Sequence, residues 1–205
     1  MKKFGLLLFI NLFGLTLFAQ NETVDYDDGS KYVGELQNGL CHGQGTMYWK
    51  DGDVYKGQWE NHVQHGYGQM TWANGDKYEG YWENGELSGE GTSTWESGNT
   101  YSGTYKDGEH NGFGTKRWVS GTYYVGNWVD GKCEGKGTYT WHTGTVYTGE
   151  FKNNKQCGKG EMRWSNGDVY VGDYDNDTEN GKGTLIWANG DWYKGNWLNG
   201  VRTGK

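Results

Sequence analysis

The chain repeats itself every 23 residues without an insertion, and this strict period limits the folds that it can adopt. One copy runs from Tyr78 to Thr100 and reads YEGYWENGELSGEGTSTWESGNT. The opening tyrosine recurs at this interval along the chain, at Tyr32, Tyr55, Tyr78, Tyr101, Tyr124, Tyr147, Tyr170 and Tyr193. A fixed period of about 20–50 residues is typical of repeat proteins, in which each unit stacks on its neighbours. The sequence therefore predicts an array of eight stacked units.

Each copy alternates large and small residues in the way that β-strands require. Tyr78, Gly80 and Trp82 lie two residues apart, which predicts that they share one face of a strand. The same alternation predicts a second strand with one-sided positions at Gly89, Gly91, Ser93 and Trp95. A glycine weakens a strand unless another group approaches its backbone closely. We therefore expect an aromatic ring to lie over each strand glycine.

The turns between the strands carry typical hairpin pairs such as Asp51-Gly52. A two-residue loop there would pair Tyr48 with Tyr55 and put Tyr55 and Trp49 on opposite faces. A three-residue loop with a left-handed glycine would pair Met47 with Tyr55 and put the two rings on the same face. The uniform pattern of aromatic residues favours the three-residue loop.

These features resemble the MORN repeat, whose pattern is Tyr-x-Gly-x-Trp, then a turn and Gly-x-Gly. The pattern stands here as YKGQW…HGYG from Tyr55, YEGYW…SGEG from Tyr78 and YVGNW…EGKG from Tyr124. The resemblance extends from about Tyr26 to Lys205, with other residues in the tryptophan position at Leu36, Tyr105, Phe151 and Tyr174. It implies an all-β fold, a long, single-layer, twisted antiparallel sheet of stacked β-hairpins. It also implies binding, scaffolding or dimerisation, and it implies no catalytic activity.

The first residues differ from the array. Lys2 and Lys3 precede an apolar run from Phe4 to Phe18 and then Ala19-Gln20. A charged start, a short apolar run and a small residue at the cut are typical of a secretory signal peptide. We predict a signal peptide at residues 1–19, with an uncleaved anchor as the alternative, and the repeat array at residues 20–205. The protein is therefore expected to be exported, to the periplasm, the cell envelope or the medium.

Charge disfavours two classes of partner. Without Lys2 and Lys3 the chain keeps 17 of its 19 basic residues against 26 acidic ones. An acidic protein is repelled by phosphate backbones and by anionic bilayers. We therefore expect no nucleic-acid partner, and membrane lipid is disfavoured.

The three cysteines are Cys41, Cys133 and Cys157, and an odd number permits at most one bridge within the chain. We expect free thiols in turns, and a bridge between Cys133 and Cys157 is the alternative.

No residue pattern predicts a catalytic, cofactor or metal site. His42 and His65 occupy the same position of adjacent repeats, roughly 9–10 Å apart if each repeat has two strands, too far to share a zinc ion. The acidic run at Asp173, Asp175, Asp177 and Glu179 resembles the start of a calcium loop. Thr178 stands where that loop needs a glycine, which favours a solvated turn.

The aromatic ladder is the candidate binding site, and its predicted residues are Trp72, Trp95, Trp118, Trp141, Trp192, Tyr193 and Trp197. These rings either pack as core or line a concave groove for a peptide, another sheet or sugar rings. The sheet is also expected to end in edge strands around Glu22–Tyr26 and Tyr193–Trp197, and the second is a predicted contact site. The predicted function is a non-enzymatic, exported module for protein interaction, scaffolding or self-association. The alternatives are glycan binding through the aromatic face and contact with membrane lipid.

Overall fold

The computed structural model describes residues 21–204, and its regular structure in that range consists of 17 β-strands. The predicted signal peptide, residues 1–19, lies outside the described residues. The strands of the first half are β1 (Glu22–Asp25), β2 (Lys31–Gln37), β3 (Leu40–Tyr48), β4 (Val54–Glu60), β5 (Val63–Thr71), β6 (Lys77–Glu83), β7 (Glu86–Thr94), β8 (Thr100–Lys106) and β9 (Glu109–Arg117). Those of the second half are β10 (Tyr123–Val129), β11 (Lys132–Thr140), β12 (Val146–Lys152), β13 (Lys155–Arg163), β14 (Val169–Asp175), β15 (Thr178–Ile186), β16 (Trp192–Leu198) and β17 (Val201–Gly204).

The strands form a single antiparallel sheet in which each strand pairs with the next one along the chain, from β1 to β17. The predicted all-β fold, one sheet of stacked hairpins, is thus confirmed. No helix among the described residues has the length and apolar character of a membrane-spanning segment.

Two kinds of turn alternate along the sheet. At one end of the strands Met47 pairs with Tyr55, and the Trp49 amide donates a hydrogen bond of 2.9 Å to the Asp53 carbonyl. Gly52 has a φ of 102°, so the three-residue loop is the one that forms. At the other end of the strands, two-residue turns such as Asn38-Gly39 have positive φ at both residues, as type I′ turns require.

A bulge in each repeat corrects one expectation about the second strand. Gly80 pairs with Gly91, but the next residue, Tyr81, pairs with Ser88. Gly89 therefore lies in a bulge, where its φ is 60°. A Cβ at this position would meet Tyr81 and not Tyr78, so Gly89 does not share a face with Gly91 as predicted. β7 has nine residues and its partner β6 has seven, so the bulge accommodates the two extra residues of β7.

One sheet edge lies where it was expected, at β1 (Glu22–Asp25), and the other differs from expectation. β16 is not an edge strand along its whole length, because Trp197 pairs with Arg202 and Leu198 pairs with Val201 in β17. The described edge strands are β1 and β17. The predicted contact site at Tyr193–Trp197 is therefore partly covered by backbone pairing.

The three cysteines are free thiols, as expected, but they lie in strands and not in turns. Cys133 pairs across its hairpin with the buried Trp128, whereas Cys157 pairs with Glu150 on the other face of the sheet. The alternative of a Cys133–Cys157 bridge is not what the structure shows.

Candidate functional site

One face of the sheet, here called the aromatic face, carries the tyrosine of every repeat. The first seven of these tyrosines are almost completely buried, although the sheet has a single layer. Each ring lies over the two glycines that pair beside it. A Cβ on Gly80, for example, would lie 2.5 Å from the Tyr78 hydroxyl oxygen. The predicted packing of rings on strand glycines is thus present, and the ring is the tyrosine.

Each tyrosine hydroxyl is fixed by a hydrogen bond to the backbone three residues ahead. The Tyr55 hydroxyl donates to the Gln58 carbonyl at 2.9 Å, and the Tyr78 hydroxyl donates to the Tyr81 carbonyl at 2.9 Å. Burial raises the pKa of Tyr55 above its usual range. The hydroxyl therefore stays neutral and anchors the ring flat against the sheet.

A second row of rings separates successive tyrosines. The Trp59 ring lies edge-on to Tyr32 and Tyr55, with centroid distances of 5.6 Å and 5.0 Å. Its indole N–H donates to the Gly45 carbonyl at 3.2 Å. Edge-to-face pairs of this kind each contribute about 0.5–1.5 kcal/mol beyond the burial of their area. The row thus joins each repeat to the one before it.

The predicted binding ladder forms a third row on the same face. Trp72, Trp95, Trp118 and Trp141 are half-buried and pack against the two inner rows. The Lys116 ammonium lies over Trp95 and Trp118, at 5.1 Å and 5.7 Å from the ring centroids. Much of this row is therefore core packing, and a binding role for its exposed edges stays a prediction.

The other three predicted residues do not join that row. Trp192 lies on the opposite face of the sheet and is 68% exposed. Trp197 is buried in the second row and donates to the Gly183 carbonyl, whereas Tyr193 is half-buried beneath Arg202. The seven predicted residues are thus split between two faces.

A polar cluster interrupts the aromatic face at the fourth repeat. His110 stacks on Tyr101 with a centroid distance of 3.7 Å and lies 5.3 Å from Trp128. Burial, with a smaller contribution from the Lys116 ammonium, lowers the pKa of His110 to about 4. Ser93 and Tyr105 share a hydrogen bond of 2.6 Å in the same region. His110 is therefore a neutral packing residue near pH 7.

The opposite face, here called the polar face, carries the residues that alternate with the rings. In the second half of the chain this face has two adjoining depressions. One has a volume of about 680 Å³ and is lined by strand glycines together with Thr148, Lys159, Glu161, Val171, Lys182, Thr184, Lys194 and Asn196. The other has a volume of about 580 Å³ and includes Phe113, Val125 and Lys136 as well as Thr148 and Lys159. We call the two together the polar-face groove.

These two depressions lie on the face without the ladder, and not along the ladder where the groove was predicted. The large rings cover their own face because they pack on one another. The polar face carries mainly threonines, valines and long polar side chains, which leave the backbone between them accessible. Phe113, which is 61% exposed, and Val171 provide apolar surface beside this accessible backbone.

The charges in the groove are mixed and partly paired. Lys159 forms a salt bridge with Asp173, and this contact lowers the pKa of the Asp173 carboxyl. Asp173 also accepts a hydrogen bond of 2.9 Å from the Lys182 amide. Within residues 21–204 no ion pair engages the ammonium groups of Lys136, Lys182 or Lys194. The groove therefore keeps three unpaired positive charges.

Sequence reasoning missed this groove although two signals were present. Lysine recurs at the same repeat position at Lys136, Lys159 and Lys182, whereas the earlier repeats have Gln44, Tyr67, Glu90 and Phe113 there. Residues 21–112 contain 16 acidic and 5 basic side chains, and residues 113–205 contain 10 acidic and 12 basic ones. The net charge of the whole chain conceals this difference between its halves.

Residues 21–204 contain no group of three or more His, Cys, Asp or Glu side chains that could hold a metal ion. His65 instead lies 3.6 Å from Glu60 at the surface.

The geometry defines a repeat protein built from one open sheet of hairpins, with a closed aromatic face and an accessible polar face. The sequence model of the MORN repeat family matches eight consecutive segments, at residues 32–54, 55–77, 78–100, 101–123, 124–146, 147–169, 170–192 and 193–205. The chain therefore belongs to the MORN-repeat family. Repeats of this family serve as modules for interaction with other proteins. No curated protein sequence matches the chain significantly.

Several solved structures are similar in fold. The TCP domain of Drosophila melanogaster SAS-4 (dCPAP), in complex with a proline-rich motif of Ana2, is 13% identical, with 85% of this chain and 88% of that chain covered and a TM-score of 0.47. The G-box domain of the microcephaly protein CPAP is 10% identical over 87% of this chain and 100% of that chain, with a TM-score of 0.47. The TCP10 domain of Danio rerio CPAP, in complex with a peptide of Danio rerio STIL, is 13% identical over 87% and 100%, with a TM-score of 0.27. These likenesses concern the arrangement of strands alone.

Proposed function

We propose that the chain is an exported scaffold that binds another protein through the polar face of its sheet. The observation that carries this proposal is the polar-face groove, in which exposed apolar groups, threonine hydroxyls and unpaired lysines lie side by side. Protein-binding surfaces combine apolar contact area with polar groups that set orientation. A lining of this kind suits a polypeptide better than a purely apolar or purely charged ligand.

Export is the second part of the proposal and is supported by the sequence of the first 19 residues. Sequencing the N-terminus of the protein recovered from the periplasm or medium tests it. We expect a chain that starts near Gln20. A cytoplasmic protein that keeps Met1 would contradict export without affecting the binding proposal.

The binding partner is tested by pull-down from the cell envelope of the source organism with the immobilised mature chain. A protein partner predicts that capture is lost when the envelope fraction is first treated with protease, and that glycan hydrolases have no effect. The reverse result would favour the glycan alternative. That alternative is supported by the exposed ring of Trp192, but most rings that it needs are packed against one another.

Contact with membrane lipid is tested separately with vesicles. The described chain carries an excess of acidic side chains, so we expect no sedimentation with phosphatidylserine vesicles in moderate salt. Sedimentation that is lost at high salt would support the lipid alternative.

A further inference from the structure

The polar-face groove differs from the rest of the polar face in the charge that it presents. Lys136, Lys159 and Lys182 project from β11, β13 and β15 at one level of the sheet, and Lys194 lies on β16 beside them. The same repeat position in the first half carries Gln44, Tyr67 and Glu90, and residues 21–112 hold 16 acidic against 5 basic side chains. A negatively charged ligand is therefore attracted to the second half of the face and repelled by the first.

The spacing of the lysines limits the conformations in which such a ligand can place its negative charges on them. Neighbouring strands lie about 4.8 Å apart, so lysines on every second strand recur at roughly 9.6 Å along the sheet. A polyproline II segment has three residues per turn and rises about 3.1 Å per residue, so every third side chain returns to the same side after roughly 9.3 Å. Carboxylates three residues apart on such a segment would each face a lysine.

The acidic residues in and beside the groove, Glu150, Glu161 and Asp173, already have other partners, and Glu161 pairs with Arg163. Asp173 holds Lys159 and accepts from the Lys182 amide. Glu150 accepts a hydrogen bond of 3.2 Å from the Lys159 amide. Lys136, Lys182 and Lys194 form no ion pair within residues 21–204, so their charges remain available to a ligand.

Apolar groups in the groove distinguish a peptide from other polyanions. Val171 and Phe113 are exposed beside the lysines, and nucleic acid or sulfated sugar offers no aliphatic side chain to cover them. The unpaired lysines favour an anionic ligand, and the exposed apolar groups favour one that carries aliphatic side chains. An acidic peptide with apolar residues between its carboxylates satisfies both features.

We propose that the polar-face groove between β11 and β16 binds an acidic, extended peptide whose carboxylates are three residues apart in a polyproline II conformation. This inference rests on the proposed protein-binding function and names the chemistry of the partner. The peptide runs along the sheet and crosses the strands. Its carboxylates lie on Lys136 and Lys182, two lysine intervals apart, and the unpaired Lys194 adds positive charge at the β16 end of the groove. Its apolar side chains cover Val171 and the strand glycines.

The test is a fluorescence anisotropy titration of the mature chain with a labelled peptide of four Glu-Pro-Val triplets. We expect saturable binding that weakens with salt. The double variant Lys182→Glu/Lys194→Glu is expected to bind at least about tenfold more weakly, which corresponds to about 1.4 kcal/mol. The matched control Lys56→Glu/Lys77→Glu makes the same charge change in the first half of the polar face and should bind within about twofold of the wild type.

Two further peptides separate charge from spacing. A peptide of four Lys-Pro-Val triplets should not bind, and a Glu-Pro-Val-Gly peptide, whose carboxylates are out of register with the lysines, should bind several-fold more weakly. Equal binding of the two glutamate peptides would overturn the spacing argument. No binding of the Glu-Pro-Val peptide, or equal binding by both lysine double variants, would overturn the proposal itself.

Two other occupants of the polar-face groove, a nucleic acid and a second copy of the chain, would give results that differ from those of an acidic peptide. A single-stranded DNA oligonucleotide that competes with the peptide at equal concentration would show a general polyanion site and overturn the assignment. If the groove holds the acidic half of a second copy, the wild type will sediment as a dimer and Lys182→Glu/Lys194→Glu as a monomer, which would also overturn it. Failure of the peptide while envelope pull-down still yields a protease-sensitive partner would refute this inference alone and leave the proposed function standing.

Discussion

Substitution of Gly80 by alanine tests whether the tyrosine rings close on the strand glycines. An ideally placed Cβ on Gly80 would lie 2.5 Å from the Tyr78 hydroxyl oxygen, 2.5 Å from Gly91 Cα and 2.7 Å from the Glu90 carbonyl oxygen. Ordinary contacts need roughly another ångström, and two of these three atoms belong to the backbone. Tyr78 is 1% exposed and lies between Trp82 and Tyr105, so it has no free space into which to move.

The free-energy cost of Gly80→Ala follows from the atoms that the added Cβ would displace. Overpacking a filled core costs about 1–3 kcal/mol. Displacing the Tyr78 hydroxyl also strains its hydrogen bond to the Tyr81 carbonyl, and such a bond contributes about 1 kcal/mol. We therefore expect Gly80→Ala to lower the free energy of unfolding by about 2–4 kcal/mol, and Gly80→Val to lower it further. For a chain of this length that loss corresponds to a fall in Tm of roughly 5–15 °C.

Guanidinium and thermal unfolding, followed by circular dichroism, measure the effect. Gly108→Ala is the matched control, because Gly108 has a φ of 78° and nothing within 4 Å of an added Cβ. That variant bears only the cost of a left-handed alanine, about 1–2 kcal/mol. If Gly80→Ala is no more destabilising than Gly108→Ala, the ring does not close on Gly80 and the account of the aromatic face is wrong.

Three further predictions follow from the aromatic face. Burial holds the pKa of His110 at about 4 in the folded protein, below its ordinary value of 6.5, so its contribution to stability is complete above pH 6.5 and is lost as the pH falls toward 4. After allowance for its partial exposure we expect a loss of about 2 kcal/mol, visible in urea unfolding at pH 7 and pH 4.5 and absent from His110→Leu. Burial raises the pKa of Cys133 to about 12, so a maleimide should label Cys157 first, and a rapid phase that survives Cys157→Ser would contradict this assignment. Tyr55→Phe should cost about 1 kcal/mol for its lost hydrogen bond, whereas Tyr67→Phe, at an exposed ring, should change urea stability little; equal effects would argue against the buried hydroxyl anchor.

The sequence was sufficient for the aromatic face because its tyrosine and strand-glycine positions recur without variation. The spacing of Tyr78, Gly80 and Trp82 predicts one face, and the stacking of a ring on a glycine follows from the need to fill the space beside it. The three-residue loop at Gly52 follows from the requirement that Trp49 and Tyr55 share that face. All of these features depend on contacts within one repeat or between adjacent repeats.

The bulge was missed because alternation by two was extended through Gly89. The number of residues between the turn and the paired glycine on each strand contained the information needed to predict the bulge. From the Asn84-Gly85 turn, Gly91 lies two residues farther along its strand than Gly80 does along the other. If these glycines pair, two residues must be accommodated between them, and a glycine with positive φ is well suited to that place. Counting residues outward from the turn would have placed Gly89 on the polar face.

The groove could not be predicted in the same way, because its position depends on which face the rings fill along the whole sheet. The sequence nevertheless distinguishes the two faces. The tyrosine position of the aromatic face is the same in all eight repeats. The polar-face position between the two glycines of each Gly-x-Gly motif varies, and it is occupied in order by Gln44, Tyr67, Glu90, Phe113, Lys136, Lys159 and Lys182.

In a repeat array, stability comes from each unit and from its interface with the next, so positions that make those contacts must suit every copy. The tyrosine and strand-glycine positions make those contacts here. The polar-face side chains make only local contacts, such as that of Lys159 with Asp173, and they vary from repeat to repeat. A change from acidic and aromatic residues to lysines along such a row alters what the face can bind and leaves the fold intact. The polar face is therefore the part of the molecule in which a partner can be specified, and the second half of that face is where a peptide with complementary charge fits.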